Sequence, residues 1–427
     1  MWNDWIHWLT TRRLDQLIWL LSPILLLDAP RYAFGSVMVW LWDMWERVAA
    51  WWRGESLEPT YDHCPSVCVV VAGLNEAATL GATLNSVYGI YPRMEIVVVD
   101  DGSTDGMSEV ARHFAERHAG VTVIRKPRRG GKSSALNCAL AMTTAEIIVC
   151  VDSDSVLDRN AIWEIVQPFA DSEVGAVSGT VIGRNPFTNL ASWLQAFEYL
   201  RCIFIGRMFT SRLGILSIVS GAFGAYRREA LQRVQGWDVG PGEDGDLTLR
   251  LRKSGYRILF APYAQCFTNL LSSWTRLLRQ RRRWEWAVIT FECRKHVDMA
   301  NFFQRGFRWS NLVLLLDRWF YSVFFQYFFW AYLAWLACHT HEHTWKQFFL
   351  YYLVYVWLEA VQLCVVLYYS NDRRRDLMVG LATPLMPIYY LLMRVVTVFA
   401  ITEELIARRS FRDNFVPQHV RESTWHW

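Results

Sequence analysis

Four short runs of β-branched and apolar residues between residues 66 and 152 constrain the fold of this chain more than any other feature. Segments with helical character lie between these runs, and a further helical segment follows the last run. Nearly continuous apolar strands that alternate with helices are typical of a parallel sheet buried on both faces. The sequence therefore predicts an α/β fold with a doubly wound, mostly parallel sheet. The runs are SVCVVVAG, EIVVVDD, VTVIRKP and EIIVCVD, and the helical segments are 77–88, 105–118, 131–143 and 159–170.

Three much longer apolar runs follow, at 311–337, 346–369 and 377–402. Each exceeds the ~20 residues that a helix needs to cross the hydrocarbon of a bilayer. A chain with 53% hydrophobic residues and 23 tryptophans suits a protein that combines a soluble domain with membrane helices. We therefore expect a lipid bilayer as a partner. A formal net charge of only +4 argues against nucleic acid as another.

The loops between these runs suggest an orientation. CHTHEHTWK, 338–346, joins the first two runs, and the basic NDRRRD, 371–376, joins the last two. Basic loops favour the cytosolic side, so NDRRRD agrees with a cytosolic α/β domain. The basic tail would then lie outside, which the same rule disfavours. Pro384 and Pro387 permit a re-entrant third segment, so the side of the tail stays open.

The first 60 residues are apolar but irregular. LIWLLSPILLL is too short for a span, and a tryptophan-rich amphipathic stretch follows it. One kinked span with an interfacial helix, or two short spans, would both fit, and arginines at both ends favour two spans. The expected parts are N-terminal membrane or interfacial helices at 1–60, the α/β domain at 61–270, an interfacial helix at 271–300, and C-terminal membrane helices with a tail at 301–427.

Polar side chains stand at the carboxyl ends of three predicted strands. They are Asn75-Glu76, Asp100-Asp101 and Asp152-Ser153-Asp154. Ligands of open parallel sheets bind beyond these strand ends, so we expect the three groups to share one site. Two carboxylates as close as Asp152 and Asp154 repel each other unless a cation joins them. Oxygen ligands of this kind suit Mg²⁺ or Mn²⁺ bound together with substrate phosphates.

The glycine-rich stretch KPRRGGKSSALN is not a phosphate-binding P-loop, because lysine occupies position 126, where that pattern needs glycine. Gly130 and Gly131 still open a predicted helix beside Lys132. Backbone N–H groups at such a helix start, together with the lysine, would suit a diphosphate. A solvated basic loop is the plainer alternative for Arg128 and Arg129.

The stretch GPGEDGDLTLRLRK places Glu243 and Asp244 in the first turn of a predicted amphipathic helix. The helix dipole favours acids there, which alone could account for one of them. A general base also needs a carboxylate held close to the proton that it removes.

Three arginines between a glutamine and a tryptophan, QRRRW at 280–284, stand just before the chain becomes apolar. Basic residues and tryptophans are common at the cytosolic face of membranes, so a simple interfacial anchor is one interpretation. Under a catalytic interpretation, Arg283 and Trp284 contact the reactants, and Arg281 and Arg282 face solvent or the membrane surface.

The series VVVDDGSTD, VDSDS, GEDGD and QRRRW resembles the D, DxD, (T/G)ED and QxxRW motifs of processive family 2 glycosyltransferases. That group includes cellulose, chitin, hyaluronan, chitooligosaccharide and poly-N-acetylglucosamine synthases. The resemblance covers roughly residues 66–290 and implies a GT-A fold with inverting transfer from a UDP-sugar. One departure is Gly242, where many members have threonine.

The resemblance also implies roles for individual residues. Glu76, Asp100 and Asp101 would hold the uridine. Asp152 and Asp154 would bind the metal and diphosphate, assisted by Lys132. Asp244 would act as the base, with Glu243 as the next candidate. Gln280, Arg283 and Trp284 would lie where the growing chain end meets the leaving diphosphate.

The expected function is therefore a membrane-embedded polysaccharide synthase in the plasma membrane. It would extend and export a β-linked chain from UDP-N-acetylglucosamine. The alternatives are a β-glucan synthase that uses UDP-glucose and a non-processive transferase to a lipid phosphate; QRRRW argues against the last. A small membrane partner subunit or a homo-oligomer is compatible with the sequence.

Overall fold

The computed structural model of the chain describes residues 2–26, 28–55, 61–339 and 344–424. Eight strands form one sheet. The first four coincide with the four β-branched runs, and the predicted α/β fold is confirmed. The strands are β1 (Val67–Gly73), β2 (Met94–Asp100), β3 (Val121–Arg125), β4 (Ile147–Asp152), β5 (Val156–Leu157), β6 (Val174–Gly183), β7 (Phe223–Arg227) and β8 (Arg257–Thr268).

The described residues form eighteen α-helices, joined in places by 3₁₀ and π turns. The helices are α1 (Trp2–Thr10), α2 (Leu14–Leu21), α3 (Asp28–Arg53), α4 (Ala77–Val87), α5 (Met107–Ala115), α6 (Lys132–Met142), α7 (Ala161–Val166), α8 (Leu190–Glu198), α9 (Gly206–Arg212), α10 (Arg228–Arg233), α11 (Glu243–Lys253), α12 (Trp274–Ala287), α13 (Trp309–Arg318), α14 (Phe325–Cys338), α15 (Thr344–Tyr369), α16 (Arg373–Gly380), α17 (Met386–Ala407) and α18 (Gln418–Thr424). π-Helical turns at Tyr199–Ile205, Val288–Lys295 and Trp319–Phe324 continue α8, α12 and α13.

The strand order is β3-β2-β1-β4-β7-β6-β8-β5. Strands β3, β2, β1 and β4 are parallel, as are β6 and β8. Strand β7 is antiparallel to both β4 and β6, and β5 is antiparallel to β8. The sheet is therefore mixed but mostly parallel. The ends of β1, β2 and β4 lie at one edge, which brings the three polar groups together.

Alternate residues of β1 pack into two different cores. Val67 and Val71 belong to the core formed with α4, α5 and α7. Cys68 and Val70 belong to a second core, which extends without interruption to Tyr355 of α15. A strand with both faces buried needs apolar residues at successive positions, which explains the continuous run in the sequence. One face of the sheet is thus joined to the C-terminal helices.

Three helical stretches of the described chain are long and apolar enough to cross a membrane: Trp309–Cys338, Thr344–Tyr369 and Arg373–Ala407. They match the three predicted runs. Residues 340–343, in the loop between the first two, lie outside the described residues.

Both ends of the third stretch contact the α/β domain. Near its start, Arg375 Nη2 donates to the carbonyl oxygen of Gly183 at 2.7 Å. Beyond its end, the carbonyl oxygen of Phe415 accepts from Arg129 Nη2 at 2.5 Å. The tail therefore lies on the same side as the α/β domain, which answers the question that the sequence left open. The re-entrant alternative, with Pro384 at the break between α16 and α17, fits this geometry.

The N-terminal helices contribute none of these candidate spans within the described residues, so the two-span interpretation of 1–60 gains no support. Helix α3 packs along α15. Its tryptophans Trp45, Trp51 and Trp52 are exposed. Exposed tryptophans on an amphipathic helix suit an interfacial position. The proposed boundary at residue 60 falls in 56–60, outside the described residues.

Candidate active site

Asp100 stabilises the loop that follows β2. It is only 1% exposed, and its Oδ1 accepts from the backbone N–H of Ser103 at 2.7 Å. Its Oδ2 accepts from the Ser108 hydroxyl. Burial alone would raise the pKa of Asp100, but the bonds from Ser103 and Ser108 lower it below its usual value. Both oxygens are engaged within the protein, so this carboxylate orders the loop.

Asp101 holds the glycine-rich loop in place. Its Oδ1 accepts from Lys126 Nζ at 2.5 Å and from Gly130 N at 2.9 Å, and its Oδ2 accepts from Gly131 N at 2.7 Å. Gly131 has a φ of 85°, which favours glycine at this position. We expected these two N–H groups to face a diphosphate. In the structure they donate to Asp101 instead, and of this stretch Lys132 remains for the phosphates.

Glu76, Asp152 and Asp154 form one acidic group, as predicted from the strand ends. Burial raises the pKa of Glu76, and the charges of Asp154 and Asp152 raise it further. Burial and the charge of Asp152 likewise raise the pKa of Asp154. Carboxyl groups that resist ionisation in this way would be stabilised by a cation placed among them.

Lys132 connects the acidic group to the candidate base. Its Nζ donates to Asp152 Oδ1 at 2.5 Å and to the carbonyl oxygen of Gly221 at 3.1 Å. The backbone N–H of the same Gly221 donates to Asp244 Oδ2 at 3.2 Å. A Cβ at position 221 would lie 3.2 Å from Lys132 Nζ and 3.3 Å from Asp244 Oδ2. Glycine therefore allows the close approach that links Lys132, Asp152 and Asp244.

Glu243 and Asp244 occupy the first turn of α11, as predicted. Asp244 Oδ1 also accepts from Gly245 N at 2.9 Å, which orients the carboxylate. Burial raises the pKa of Glu243; the cation of Lys132 partly offsets this, and the charge of Asp244 adds to it. In the presence of an ionised Asp244, Glu243 therefore tends towards the protonated form.

Asp246 is a site-supporting residue that the sequence analysis did not single out. It is 1% exposed and accepts from Arg250 Nε at 2.8 Å, His296 Nε2 at 2.8 Å and Lys295 Nζ at 2.9 Å. Burial opposes its charge, but His296 and the two cations lower the pKa of Asp246 well below its usual range. Asp246 thereby fixes the first turn of α11 to the π turn that continues α12. Asp246 is the last residue of the motif GEDGD, and its place in that motif could have identified it from the sequence.

Arg281 is buried, which corrects the expectation that it faces solvent or the membrane surface. It is 9% exposed and its Nη2 donates to Glu198 Oε2 at 2.7 Å. The Tyr389 hydroxyl donates to the same oxygen at 2.7 Å. Arg281 therefore joins α12 to α8 and α17.

Arg282 is likewise paired, although 36% of its side chain remains exposed. It donates through two nitrogens to the two carboxylate oxygens of Glu403 on α17, with Nη2 2.6 Å from Oε2. Trp286 Nε1 donates to Glu403 Oε1 at 2.9 Å. The partial exposure is compatible with the expected solvated position, but the ion pair was not expected, because α17 packs along α12 and supplies an acid that the sequence spacing did not reveal.

Arg283 points towards the C-terminal tail. Its guanidinium lies 4.0 Å from the centre of the Phe415 ring. Phe415 and Val416 line a cavity of about 20 Å³ together with Gly131, Lys132 and Glu243. The tail thus covers the space beside the glycine-rich loop. In the sequence, the only indication of this contact is the apolar pair within the polar stretch DNFVPQ, 413–418, which the sequence analysis did not single out. Arg283 lies beside this cavity through its contact with Phe415.

On α12, Trp284 leaves aromatic surface exposed, and Gln280 carries an unpaired polar atom beneath the surface. Gln280 Oε1 is buried and has no hydrogen-bond partner among the described residues. The Trp284 side chain is 42% exposed, and the guanidinium carbon of Arg281 lies 4.2 Å from its ring centre. A fixed, half-exposed indole beside an unpaired carbonyl oxygen can accept one face of a sugar.

The acids at the end of β4 fit a divalent cation only if the substrate completes its coordination. The described residues contain no group of three or more histidine, cysteine, aspartate or glutamate side chains arranged to hold a metal. Asp152 and Asp154 are hard oxygen donors with an unfavourable mutual repulsion. Mg²⁺-type sites with one or two carboxylates plus substrate phosphates have this donor set.

The chain is similar to curated proteins over about half of its length. It is 29% identical over 226 residues to poly-beta-1,6-N-acetyl-D-glucosamine synthase of Staphylococcus aureus, covering 52% of this chain and 54% of that protein. It is 31% identical over 221 residues to the synthase of the same name from Staphylococcus epidermidis, covering 51% and 53%. The chain therefore spans about half the length of the curated relatives it matches.

The fold has a counterpart among solved structures. The mannosyltransferase PcManGT of Pyrobaculum calidifontis, solved in complex with GDP-Man and Mn²⁺, superposes with a TM-score of 0.57 at 23% identity. The superposition covers 91% of this chain and 99% of that one. At this identity the likeness establishes the fold, which is of the GT-A type.

The family is established by a match over more than half of the chain. The family model described as "Glycosyltransferase like family 2" matches residues 65–287 of the 427. The match begins just before β1 and ends with α12, so it includes the strand-end acids, the turn of α11 and QRRRW. The chain is a glycosyltransferase and belongs to glycosyltransferase family 2.

Proposed function

We propose that this protein is an inverting polysaccharide synthase that adds sugars from UDP-N-acetylglucosamine to a growing β-linked chain. One observation carries the proposal: Lys132 bridges Asp152 and the Gly221 loop that orients Asp244. A donor diphosphate near Asp152 and an acceptor hydroxyl near Asp244 would then be held by one connected set of residues. Such placement is what a direct displacement needs.

Asp244 is the proposed general base. Two backbone N–H groups fix its carboxylate, and each of its oxygens keeps a further lone pair for an acceptor proton. Burial and the charge of Asp244 raise the pKa of Glu243, so Glu243 gives up its proton less readily than an ordinary glutamate. The acceptor oxygen attacks the anomeric carbon as its proton moves to Asp244, and the UDP leaves from the opposite face. A single displacement of this kind inverts the configuration.

The departing diphosphate gains negative charge that must be stabilised. Lys132 faces the base across Gly221. Burial opposes its charge, but the carboxylates of Asp152 and Glu243 raise the pKa of Lys132, so it stays charged. A divalent cation bound by Asp152 and Asp154 would supply further stabilisation of the leaving oxygens. Glu76, Asp100 and Asp101 form the adjoining edge proposed for the nucleoside; Asp100 and Asp101 would act through the loops that they order.

The acceptor end of the polymer is proposed to rest on α12. Trp284 would contact a sugar face, Gln280 Oε1 would accept from a sugar hydroxyl, and Arg283 would approach the diphosphate from the side of Phe415. These three residues are on the helix that Asp246 fixes to the catalytic turn through His296 and Lys295. The base and the acceptor platform would therefore keep a constant separation during repeated additions.

The membrane helices would keep the product beside the site where it is made. We propose a multi-pass plasma-membrane protein with its α/β domain in the cytosol, since the basic loop at 371–376 contacts that domain. The polymer would leave between the C-terminal helices. A small membrane subunit or a second copy of the chain remains a proposed partner.

The proposed sugar follows the printed names of the staphylococcal relatives, which are poly-beta-1,6-N-acetyl-D-glucosamine synthases. The test is incorporation from a panel of radiolabelled UDP-sugars by purified membranes, followed by linkage-specific digestion of the product. We expect N-acetylglucosamine to be incorporated at least about tenfold better than glucose. Preferred incorporation of glucose, or a product of one added sugar on lipid, would contradict the proposal.

The same membranes test the metal. Excess EDTA should abolish incorporation, Mn²⁺ or Mg²⁺ should restore it, and Asp154→Asn should not respond to either, because the amide is a weaker ligand than a carboxylate. Ser155→Ala is a matched control, since it removes only a hydroxyl that donates to Asp154 at 3.2 Å. Full incorporation in EDTA would contradict a metal-dependent transfer.

A further inference from the structure

A cavity of about 100 Å³ lies between the sheet and the loop that joins the last two candidate spans. Strands β6 and β8 form one wall, and residues 370–376 form part of the opposite one. It shares no lining residue with the cavity beside Lys132. The two cavities are therefore distinct.

The cavity contains a buried carboxylate that is only half satisfied. Asp376 is 6% exposed, and its Oδ2 accepts from the Ser370 hydroxyl at 2.6 Å. Its Oδ1 has no hydrogen-bond partner among the described residues. Buried polar atoms in folded proteins nearly always have a partner, so an unpaired carboxylate oxygen at a cavity wall indicates a donor that arrives with a ligand.

The remaining lining identifies the kind of donor. Asp372 adds a second carboxylate, whereas the Arg375 guanidinium already donates to the carbonyl oxygen of Gly183 at 2.7 Å. Tyr199 and Phe267 supply aromatic wall. Carboxylates next to aromatic rings are the chemistry that recognises an ammonium group. The described residues offer no set of three or more side chains for a metal ion, which argues against a metal here.

The volume limits the size of the ligand. A cavity of about 150 Å³ accommodates benzene, which has six heavy atoms. By proportion, the 100 Å³ measured here accommodates about four heavy atoms. Ethanolamine has that size, whereas a hexose or a trimethylated amine is too large to enter completely.

The position of the cavity indicates the source of the amine. Residues 370–372 connect two candidate membrane spans and therefore lie at the level of the membrane surface. Arg373 and Arg374 follow at once, both exposed and without an ion pair among the described residues. They are available to a phosphate next to the ammonium group. We propose that this cavity binds the headgroup of an ethanolamine-type phospholipid, with its ammonium group at Asp376 and its phosphate at Arg373 and Arg374.

Binding of this lipid would strengthen the joint between the sheet and the membrane helices. Arg375 already links the loop to the end of β6, and Tyr199 directly follows Glu198, which holds Arg281 of QRRRW. A bound headgroup would fill the space between these two links. The position of α12 relative to the sheet would then depend on the lipid.

The test uses the detergent-solubilised full-length protein and short-chain phospholipids that differ only in the headgroup. Native mass spectrometry measures their affinities for the ethanolamine, N-methyl, N,N-dimethyl, choline and glycerol forms. We expect affinity to fall along this series, by at least about tenfold from ethanolamine to choline, which corresponds to about 1.4 kcal/mol. Equal affinities across the series would overturn the proposal. This measurement involves no sugar and no variant, so neither the failure of the proposed function nor a misfolded mutant can imitate its result.

Variants then assign the binding groups. Asp376→Asn should abolish the preference for ethanolamine, whereas Asp62→Asn, which changes an exposed aspartate in another part of the domain, should keep it. The double variant with alanine at both Arg373 and Arg374 should bind all the phospholipids less tightly by the same factor, because the arginines contact the phosphate that all of them share. An undiminished preference in folded Asp376→Asn would overturn the assignment. Competition by free ethanolamine at the same concentration as the lipid would show a soluble amine to be the ligand and would overturn the lipid proposal.

Discussion

The edge of the sheet and helix α12 use charge in opposite ways. At the sheet edge, Asp152, Lys132 and Asp244 are linked through a single glycine, so the charged groups converge on one place. On α12, three consecutive arginines diverge to three different parts of the molecule. Arg281 pairs with Glu198 of α8, Arg282 with Glu403 of α17, and Arg283 lies against Phe415 of the tail.

The difference follows from backbone geometry. Parallel strands end side by side, so acids that follow them meet without further information. Consecutive helical residues point about 100° apart, so neighbours such as Arg281 and Arg282 cannot share a partner. Under the proposed mechanism, the converging charges at the sheet edge serve the reaction, whereas Arg281 and Arg282 join the helices around it. Each prediction below tests one side of that comparison.

The largest effect is expected at the sheet edge. Asp244→Asn should lower sugar transfer about 100- to 10,000-fold, because the amide keeps the shape of the carboxylate but cannot accept a proton. Binding of UDP, measured by isothermal titration calorimetry, should remain close to that of the parent. Asp238→Asn is a matched control, since it changes an acid that pairs with Lys295 outside the catalytic turn. If Asp244→Asn transfers sugar within tenfold of the parent rate, the base lies elsewhere, and Glu243 is the next residue to test.

The second prediction concerns the two residues of α12 that are available to the reactants. Trp284→Ala should lower polymer yield by about tenfold or more through loss of its aromatic surface, while UDP affinity stays unchanged. Arg283→Lys should also lower the yield, because lysine lacks the planar fork that could contact both Phe415 and a diphosphate. Polymer per folded protein and UDP binding are the measurements. Mild and equal losses at both positions would return QRRRW to the role of a membrane anchor.

Much of the sheet edge could be predicted because its information is local. The β-branched runs fixed β1 to β4, and the acids after them converged as the topology requires. The contacts of Arg282 and Arg283 could not be predicted, because Glu403 and Phe415 are more than a hundred residues away in the sequence and depend on how α17 and the tail return to the domain. The same return places the tail beside the α/β domain, a point that the sequence left open. Asp101 shows a second limit of sequence-based prediction. The motif identified Asp101 as a site residue, but it did not reveal that the N–H groups of Gly130 and Gly131 would donate to its carboxylate.

The third prediction separates Arg281 from an ordinary surface arginine. Arg281→Lys should lower the stability of the folded protein by about 1–2 kcal/mol, because a buried carboxylate would lose part of its hydrogen bonding. Activity should fall with it, since Glu198 also holds Tyr389 of α17. Arg279→Lys, on the exposed side of the same helix, should change neither. Thermal unfolding in detergent measures the difference. Equal unfolding temperatures for the two variants would mean that the Arg281–Glu198 pair does not join the helices.

The smallest effect should appear in the pH dependence of the sheet edge. Burial and the charge of Asp152 raise the pKa of Asp154, so at limiting metal the carboxyl becomes protonated at a higher pH than an ordinary aspartate. Protonation removes a proposed metal ligand, and transfer should fall as the pH falls through that raised pKa. Because a divalent cation favours the ionised form, saturating Mn²⁺ should move this acidic limb towards lower pH. Initial transfer rates over an acidic-to-neutral pH series, at limiting and saturating Mn²⁺, measure the shift.

Arg281→Lys should show the same shift as the parent, because its pair with Glu198 belongs to the assembly of α12 and not to the acidic group. A limb that does not respond to Mn²⁺, or that responds differently in Arg281→Lys, would mean that the two regions are not separate in the way their charges suggest.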